Sequence, residues 1–318
     1  MPEPLPIITI HLGASEYVDI CLRKARMTNP DSRVILLGNA ENADLPAVRE
    51  GLAEHFDLTR DLYREDIPEL ERIYRHFSSL SPIFELFCVK RWFFLRNFLR
   101  AEKITRCLHL DSDVLLFCNV TREARLFPPC DMTVGKWDDN GYLLHTAFIF
   151  RPEVLDHFTR HILEIYRDET ALRQLAERNR KKNGHVWISD MNLFFDFARK
   201  NEISLAFLED RQAESGICFD SRISDVSRFR GVRKWLILRR FKKIFFEDGL
   251  PYGILKEGRQ KILMKSIHYN GSTKFLMKHH LAGKTPFLPI FLSRWKVQFR
   301  RLAEQIATCF KRRENTLE

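Results

Sequence analysis

Short apolar runs alternate with helix-period stretches through the first half of this chain, and that alternation restricts the fold more than any other feature. Pro6–Leu12, containing Ile7-Ile8-Thr9-Ile10, reads as a buried strand, and Glu16–Met27 reads as a helix with Ser15 at its N-cap position. Arg33–Leu37 is a second strand, ended by Gly38-Asn39, and His55–Leu58 is a short third. Ser81-Pro82 opens a long helix to about Leu99, with Pro in the first turn, where its missing N–H costs nothing. A strand over 104–110 follows. Asp131–Gly135 and Leu144–Phe150 add strands, Leu155–Lys182 is helical, and Ser189-Asp190 begins a helix over Met191–Arg199. Strand–helix alternation of this kind predicts an α/β fold: a mixed, mostly parallel central sheet flanked by helices, binding ligands beyond the carboxyl ends of its strands.

One such end carries Asp111-Ser112-Asp113, set between Cys107-Leu108-His109-Leu110 and Val114-Leu115-Leu116-Phe117. Carboxylates seldom interrupt apolar runs unless they are paired or hold a metal. Two of them one residue apart can face a hard cation together and leave its other positions to phosphate oxygens. Far downstream, His268-Tyr269-Asn270-Gly271-Ser272-Thr273-Lys274 offers an imidazole for a divalent metal, a glycine permitting close backbone approach and a cation for phosphate.

Composition narrows the partners. The 318 residues are 45% hydrophobic, enough for a sizeable core, and Phe at 26 residues is abundant enough for some of it to serve an interface. A formal charge of +10 favours acidic partners: nucleotides, nucleic acid or anionic lipid. No nucleic-acid-binding module is visible, which makes nucleic acid the least expected of these. The seven Cys form no Cys-x-x-Cys pair, which argues against a zinc site and for a reducing compartment. With strand-like sequence starting at Ile7 and no long apolar span, the expectation is a cytoplasmic protein, peripheral on the inner membrane face if its basic regions bind lipid. Those regions are Arg228–Phe246 and Leu288–Arg313; within the latter, 288–301 can form an amphipathic helix with Trp295 and Phe299 for an anionic headgroup layer.

An Asp-x-Asp after a buried strand, with His-x-x-Gly-x-x-Lys far downstream, resembles the GT-A glycosyltransferases over roughly residues 7–280. The likeness is closest to the family 8 group, typified by glycogenin and the lipopolysaccharide galactosyltransferases. The resemblance implies a GT-A fold and a hexosyltransferase-type enzyme that moves a sugar, with retention, from a nucleotide-diphosphate sugar such as a UDP-sugar to a glycan or lipid-linked acceptor. It implies Mn²⁺ or Mg²⁺ held by Asp111, Asp113 and His268, with Asp111 and Ser112 also at the donor. Lys274 falls on the diphosphate beside Gly271, Leu12, Gly13 and Tyr17 on the nucleotide, and Lys90 or Arg91 as a cation near the phosphates. Asp190 falls near the reacting sugar, as a hydrogen-bond partner or a base. The family's Asn-x-Gly strand is His145-Thr146-Ala147 here. The implied organisation is a catalytic domain over 1–283, its nucleotide-binding part about 1–120 and its acceptor side about 121–283, followed by a basic amphipathic segment over 284–318. Two other readings use the same residues: a Mg²⁺-dependent nucleotidyltransferase, and a non-catalytic basic protein that binds membrane or nucleic acid on a transferase-like fold.

Overall fold

The computed structural model describes residues 3–138, 141–180, 186–209, 216–232 and 241–284. An eight-stranded mixed sheet forms the centre. Glu54–Asp57, Val34–Gly38, Ile7–Ile10 and Cys107–Leu110 lie side by side in that order, all parallel. Thr146–Ile149 then pairs antiparallel with Cys107–Leu110, and Met132–Asp138 pairs antiparallel with Thr146–Ile149. Gly141–Leu143 and Leu205–Phe207 both pair with Met132–Asp138.

Both faces of the parallel strands are covered, as a near-continuous apolar run requires. Ile7, Val34, Leu36, Leu108 and Leu110 point into a core shared with the helix Glu16–Thr28. Their neighbours Ile8, Ile10, Ile35, Leu37 and Cys107 point the other way, toward Pro82–Ala101, Glu153–Arg167 and Asp190–Lys200. The alternation follows the two-residue period of a strand.

The residues after Asp113 depart from the expected continuous run. Val114–Leu116 leaves the central sheet and joins a second, five-stranded one, pairing antiparallel with Lys261–His268. Ile217–Phe219, Leu250–Ile254 and Phe245–Glu247 complete it. The reason lies in the Asp111-Ser112-Asp113 turn, closed by Val114 N–H donating to the Asp111 carbonyl at 3.1 Å. Leu155–Lys182 is likewise two helices rather than one: Glu153–Arg167 stops, and Asp168 caps Glu169–Arg178 by accepting from Thr170 and Ala171 N–H at 2.9 and 3.0 Å. The strand expected over 104–110 begins only at Cys107, and Pro6–Leu12 is ordered as strand only from Ile7 to Ile10.

The helix expected from Ser189-Asp190 is present. Ser189 and Asn192 form a reciprocal capping box at its start. Of Arg228–Phe246, the flanks form Gly231–Val232, Phe241–Lys242 and part of Phe245–Glu247, while 233–240 lie outside the described residues. The expected amphipathic segment over 284–318 lies outside them as well, apart from Lys284. The six described cysteines are free thiols, and no helix among the described residues is long and apolar enough to cross a membrane.

Candidate active site

Backbone register brings the two distant motifs together. Asp111 N–H donates to the His145 carbonyl at 2.8 Å, pinning the end of Cys107–Leu110 at the middle of the central sheet. Three residues later the chain enters the second sheet, where Val114 stands opposite His268. Tyr269 N–H then donates to the Asp113 carbonyl at 2.8 Å. The strand pair thereby places a ligand atom from each of Asp111, Asp113 and His268 within 4.8 Å of one another, all three half-buried.

The imidazole is oriented as a metal ligand must be. His268 Nδ1 lies 2.7 Å from the Ser221 carbonyl, so it carries the proton, and Nε2 turns toward Asp113 Oδ1 at 3.4 Å. The loop that presents Ser221 is fixed by a buried ion pair between Lys242 and Asp220, with Lys242 also donating to the Arg222 carbonyl at 2.8 Å. Burial alone would disfavour the charge on Asp113, yet His268 and Lys274 hold its carboxyl below the ordinary range. Burial also opposes charge on Asp111, and the guanidinium of Arg91 overrides it, keeping that group well below the ordinary range.

Arg91 ties the cluster to the helix begun at Asp190. It sits 2.7 Å from Asp111 Oδ1 and 2.6 Å from Asp190 Oδ2, and Trp92 Nε1–H donates to the same Asp190 oxygen at 3.0 Å. Lys90, the other cation considered for this place, pairs with Glu71 and lies over the Phe94 ring instead. The helix turns these neighbours to different sides, so only Arg91 reaches the aspartates. Asp190, expected as a hydrogen-bond partner or a base near the reacting sugar, is engaged by Arg91 and Trp92. It is buried, and its other oxygen accepts from Met191 N–H at 3.0 Å, so the carboxylate is committed to holding Arg91.

Lys274 pairs with Asp113 and lies 4.9 Å from the centre of the Tyr17 ring, in the first turn of the Glu16–Thr28 helix that follows the loop after the first strand. In that loop Leu12 is exposed, and Gly13 takes a φ of +86°, its N–H donating to Asn39 Oδ1 at 3.0 Å and its carbonyl accepting from Asn42 at 2.9 Å. Gly38 makes this arrangement possible, since a Cβ there would stand 2.7 Å from the His11 carbonyl and 2.1 Å from Asn42 Oδ1. Gly38→Ala is therefore expected to cost about 1–3 kcal/mol of stability and to loosen the Gly13 loop, which denaturant midpoints would show. Gly271 opens its turn at φ +59° with nothing within 4 Å of a Cβ position, so backbone conformation rather than crowding accounts for it.

Three more histidines stand at the site: His11 and His109 had no role in the sequence reading, and His145 had only its place in the Asn-x-Gly strand. His11 contacts Ser112 Oγ through Nδ1 at 3.1 Å and meets the Tyr17 ring edge-on; burial, then the charge of Lys274, pull it down to about 4. His145 packs against His268 with ring centres 4.2 Å apart and ring planes tilted by 34°, and burial followed by His268 holds it at about 3, hence neutral. His109 is buried against Trp92, with Nε2 3.4 Å from Asp111. The available signal was position: His11 and His145 stand at strand ends on the edge that carries Asp111.

Glu85 lies on the Arg91 helix and is buried with Oε2 unpartnered, while Ser78 Oγ donates to Oε1 at 3.1 Å. Burial, then the charge of Asp190, push its carboxyl up to about 7 from an ordinary 4.5. Between these values the folded chain binds a proton that the unfolded chain releases, so this group lowers stability as pH rises through that window. Glu85→Gln is expected to flatten the pH dependence there and to raise stability above pH 7, read by unfolding at a series of pH values.

The donor set of two carboxylates and an imidazole, with the imidazole proton committed elsewhere, fits Mn²⁺ or Mg²⁺ better than a thiolate-seeking metal. No family model matches the chain, and no curated protein matches it. Among solved structures it is similar to apo mouse xyloside xylosyltransferase 1, at 11% identity over 64% of this chain and 85% of that one, with a TM-score of 0.45. It is also similar to the apo WbbM bifunctional glycosyltransferase, at 12% identity over 90% of this chain and 50% of that one, with a TM-score of 0.46. A cytidylyltransferase from Leptospira borgpetersenii serovar Hardjo-bovis follows at 10% identity over 50% and 65%, with a TM-score of 0.28. Likenesses this distant leave the chemistry to be argued from the site itself.

Proposed function

We propose that this chain is a GT-A type, metal-dependent glycosyltransferase of the hexosyltransferase kind. It transfers a sugar from a nucleotide-diphosphate sugar, a UDP-sugar as first candidate, to a glycan or lipid-linked acceptor. The observation that carries the reading is the Asp111–Asp113–His268 cluster at the carboxyl edge of a mainly parallel sheet, with Lys274 and Arg91 on its two sides. The catalytic domain spans 1–283.

Departure of a nucleoside diphosphate puts negative charge on its leaving oxygen. Asp113 and His268, with Asp111, would hold a divalent cation, which when bound would supply Lewis-acid neutralisation of that charge; Asp111 would also face the donor ribose. Lys274, already at Asp113, is placed to move onto the diphosphate, and Arg91 adds preorganised positive charge. Tyr17, Leu12 and Gly13 line the nucleotide, Gly271 shapes the turn before Lys274, and Ser112 is held by His11 at the mouth. With Asp190 committed to Arg91 and Trp92, no strong base faces the acceptor from that position, which favours retention.

A panel of nucleotide sugars with Mn²⁺, read by thermal shift and donor hydrolysis, tests the proposal. A donor at 100 times its dissociation constant stabilises the native chain by about 2.7 kcal/mol. Release of pyrophosphate from a nucleoside triphosphate would make the chain a nucleotidyltransferase instead. No Mn²⁺-dependent shift with any nucleotide would leave a non-catalytic protein. Asp190→Asn separates positioning from base catalysis. Loosening Arg91 is expected to weaken donor affinity along with turnover, whereas loss of an acceptor base would slow transfer at unchanged donor affinity.

A further inference from the structure

Residues 79–84 form an exposed run at the start of the Pro82–Ala101 helix, and within it Leu80, Ile83 and Phe84 are 44%, 82% and 54% exposed. The run is held rather than loose. Leu80 N–H donates to Ser78 Oγ at 3.1 Å, Ser78 donates to the buried Glu85, and the Phe77 carbonyl accepts from Ile188 N–H at 2.7 Å. Its place in the fold follows from connectivity. The helix precedes the parallel strand Cys107–Leu110 and runs back against it, so the start of the helix lies at the carboxyl edge, beside the Asp111 cluster. Arg91 reaches that cluster from mid-helix. Ile83, eight residues earlier, stands roughly 12 Å farther out along the axis.

Three questions decide what covers such a tip. The first is area: three side chains supply a few hundred Å², well short of the roughly 800 Å² per partner in a stable protein interface. The second is which face the last described helix covers. Leu276–Leu281 packs on Glu16–Thr28, in the core on the opposite face of the sheet from the Pro82–Ala101 helix. The third is charge. Arg72 and Arg75 are exposed just before the run; Arg75 donates to the carbonyls of Ile73 and Tyr74 and acts on the exposed Glu169, and Arg72 lies 4.0 Å from Glu69. A small apolar tip beside guanidinium groups matches the headgroup layer of an anionic bilayer, which takes up apolar side chains and attracts basic residues at its surface.

We infer that residues 79–84 are a membrane-docking tip that inserts Ile83 and Phe84 into the headgroup region of an anionic bilayer, with Arg72 and Arg75 on its phosphates. The docking needs no catalysis. Only its consequence, a site mouth facing a bilayer-borne acceptor, rests on the proposed function.

The test is cosedimentation of the full chain with vesicles of phosphatidylcholine plus phosphatidylglycerol, and with phosphatidylcholine alone. The wild type is expected to sediment with the anionic vesicles. Ile83→Ser/Phe84→Ser, which removes apolar surface without changing charge, is expected to lower partitioning about tenfold or more. Arg72→Gln/Arg75→Gln is expected to lower it by about tenfold on the anionic vesicles only. Because all four residues are exposed, the thermal unfolding and Mn²⁺–donor shift of both variants should match the wild type, which keeps a docking failure distinct from a failure of the transferase reading. Equal sedimentation of wild type and the Ser double variant would overturn the inference, as would a wild type that binds neither vesicle. A wild-type dimer in sedimentation velocity that the Ser variant dissolves would also overturn it, in favour of a second copy of the chain.

Discussion

Asp113→Asn should abolish donor turnover, lowering its rate on the order of 10²–10³-fold or more, while the chain still folds. The substitution keeps the size of the side chain and an acceptor for Lys274, so the packing of the Asp111-Ser112-Asp113 turn survives. What disappears is the charge that faces His268 across 3.4 Å. The Mn²⁺-dependent thermal shift should vanish with it, because an amide oxygen is a far weaker ligand for a hard dication. A second consequence follows at His268. Burial opposes charge on its ring, but Asp113 and Asp111 together raise its titration above the ordinary 6.5. That charge contributes stability that is complete below 6.5 and lost as pH rises through the raised value. In Asp113→Asn the raised titration should fall back, and this pH-linked loss should shrink, as NMR titration of the imidazole and unfolding across the same range would show. Full turnover in this variant would end the metal-centred reading.

How much of this was legible in the sequence depends on the range of the interaction. The parallel half of the sheet was visible because each strand is buried on both faces and therefore apolar throughout, a local signal. Asp111 and Asp113 were visible for the complementary reason, as charges where a local rule forbids them. The partnership of His268 with Asp113 could be expected only by resemblance, since it is made by the pairing of Val114 with His268. The second sheet was missed because four of its five strands have five residues or fewer, they are mixed in polarity, and they join Val114–Leu116 only through space, the kind of nonlocal pairing that periodicity does not report. Lys90 and Arg91 could not be told apart from spacing, because adjacent helical residues differ by about 100° in direction and either could have faced the sheet. Asp190 read as a hydrogen-bond partner or a base near the reacting sugar, and only the fold shows Arg91 and Trp92 closing on it.

Arg91 is where catalysis and folding share one side chain, and Arg91→Met should show both. Its guanidinium joins two carboxylates whose side chains are 23% and 4% exposed, Asp111 and Asp190. Replacing it with an apolar chain of similar length leaves the buried Asp190 without a cation and Asp111 with only the imidazoles of His109 and His268 near it. Breaking a buried pair from one side costs about 3–5 kcal/mol, far more than the pair contributes when intact. Chemical denaturation should show that loss as a lower midpoint at unchanged slope. The companion substitution separates the two roles. Adding Asp190→Asn to Arg91→Met removes the more deeply buried uncompensated charge and should return part of the stability, with a coupling of roughly 0.5–3 kcal/mol between the sites. Donor turnover should not return with it, because the positive charge beside the diphosphate is still missing. If stability and turnover instead recover together, Arg91 acts on the reaction only through the fold, and Lys274 is left as the cation that meets the leaving group. A loss below about 1 kcal/mol in Arg91→Met alone would mean that the bridge behaves as a solvated surface pair, and its part in holding the Asp190 helix to the Asp111 turn would fall with it.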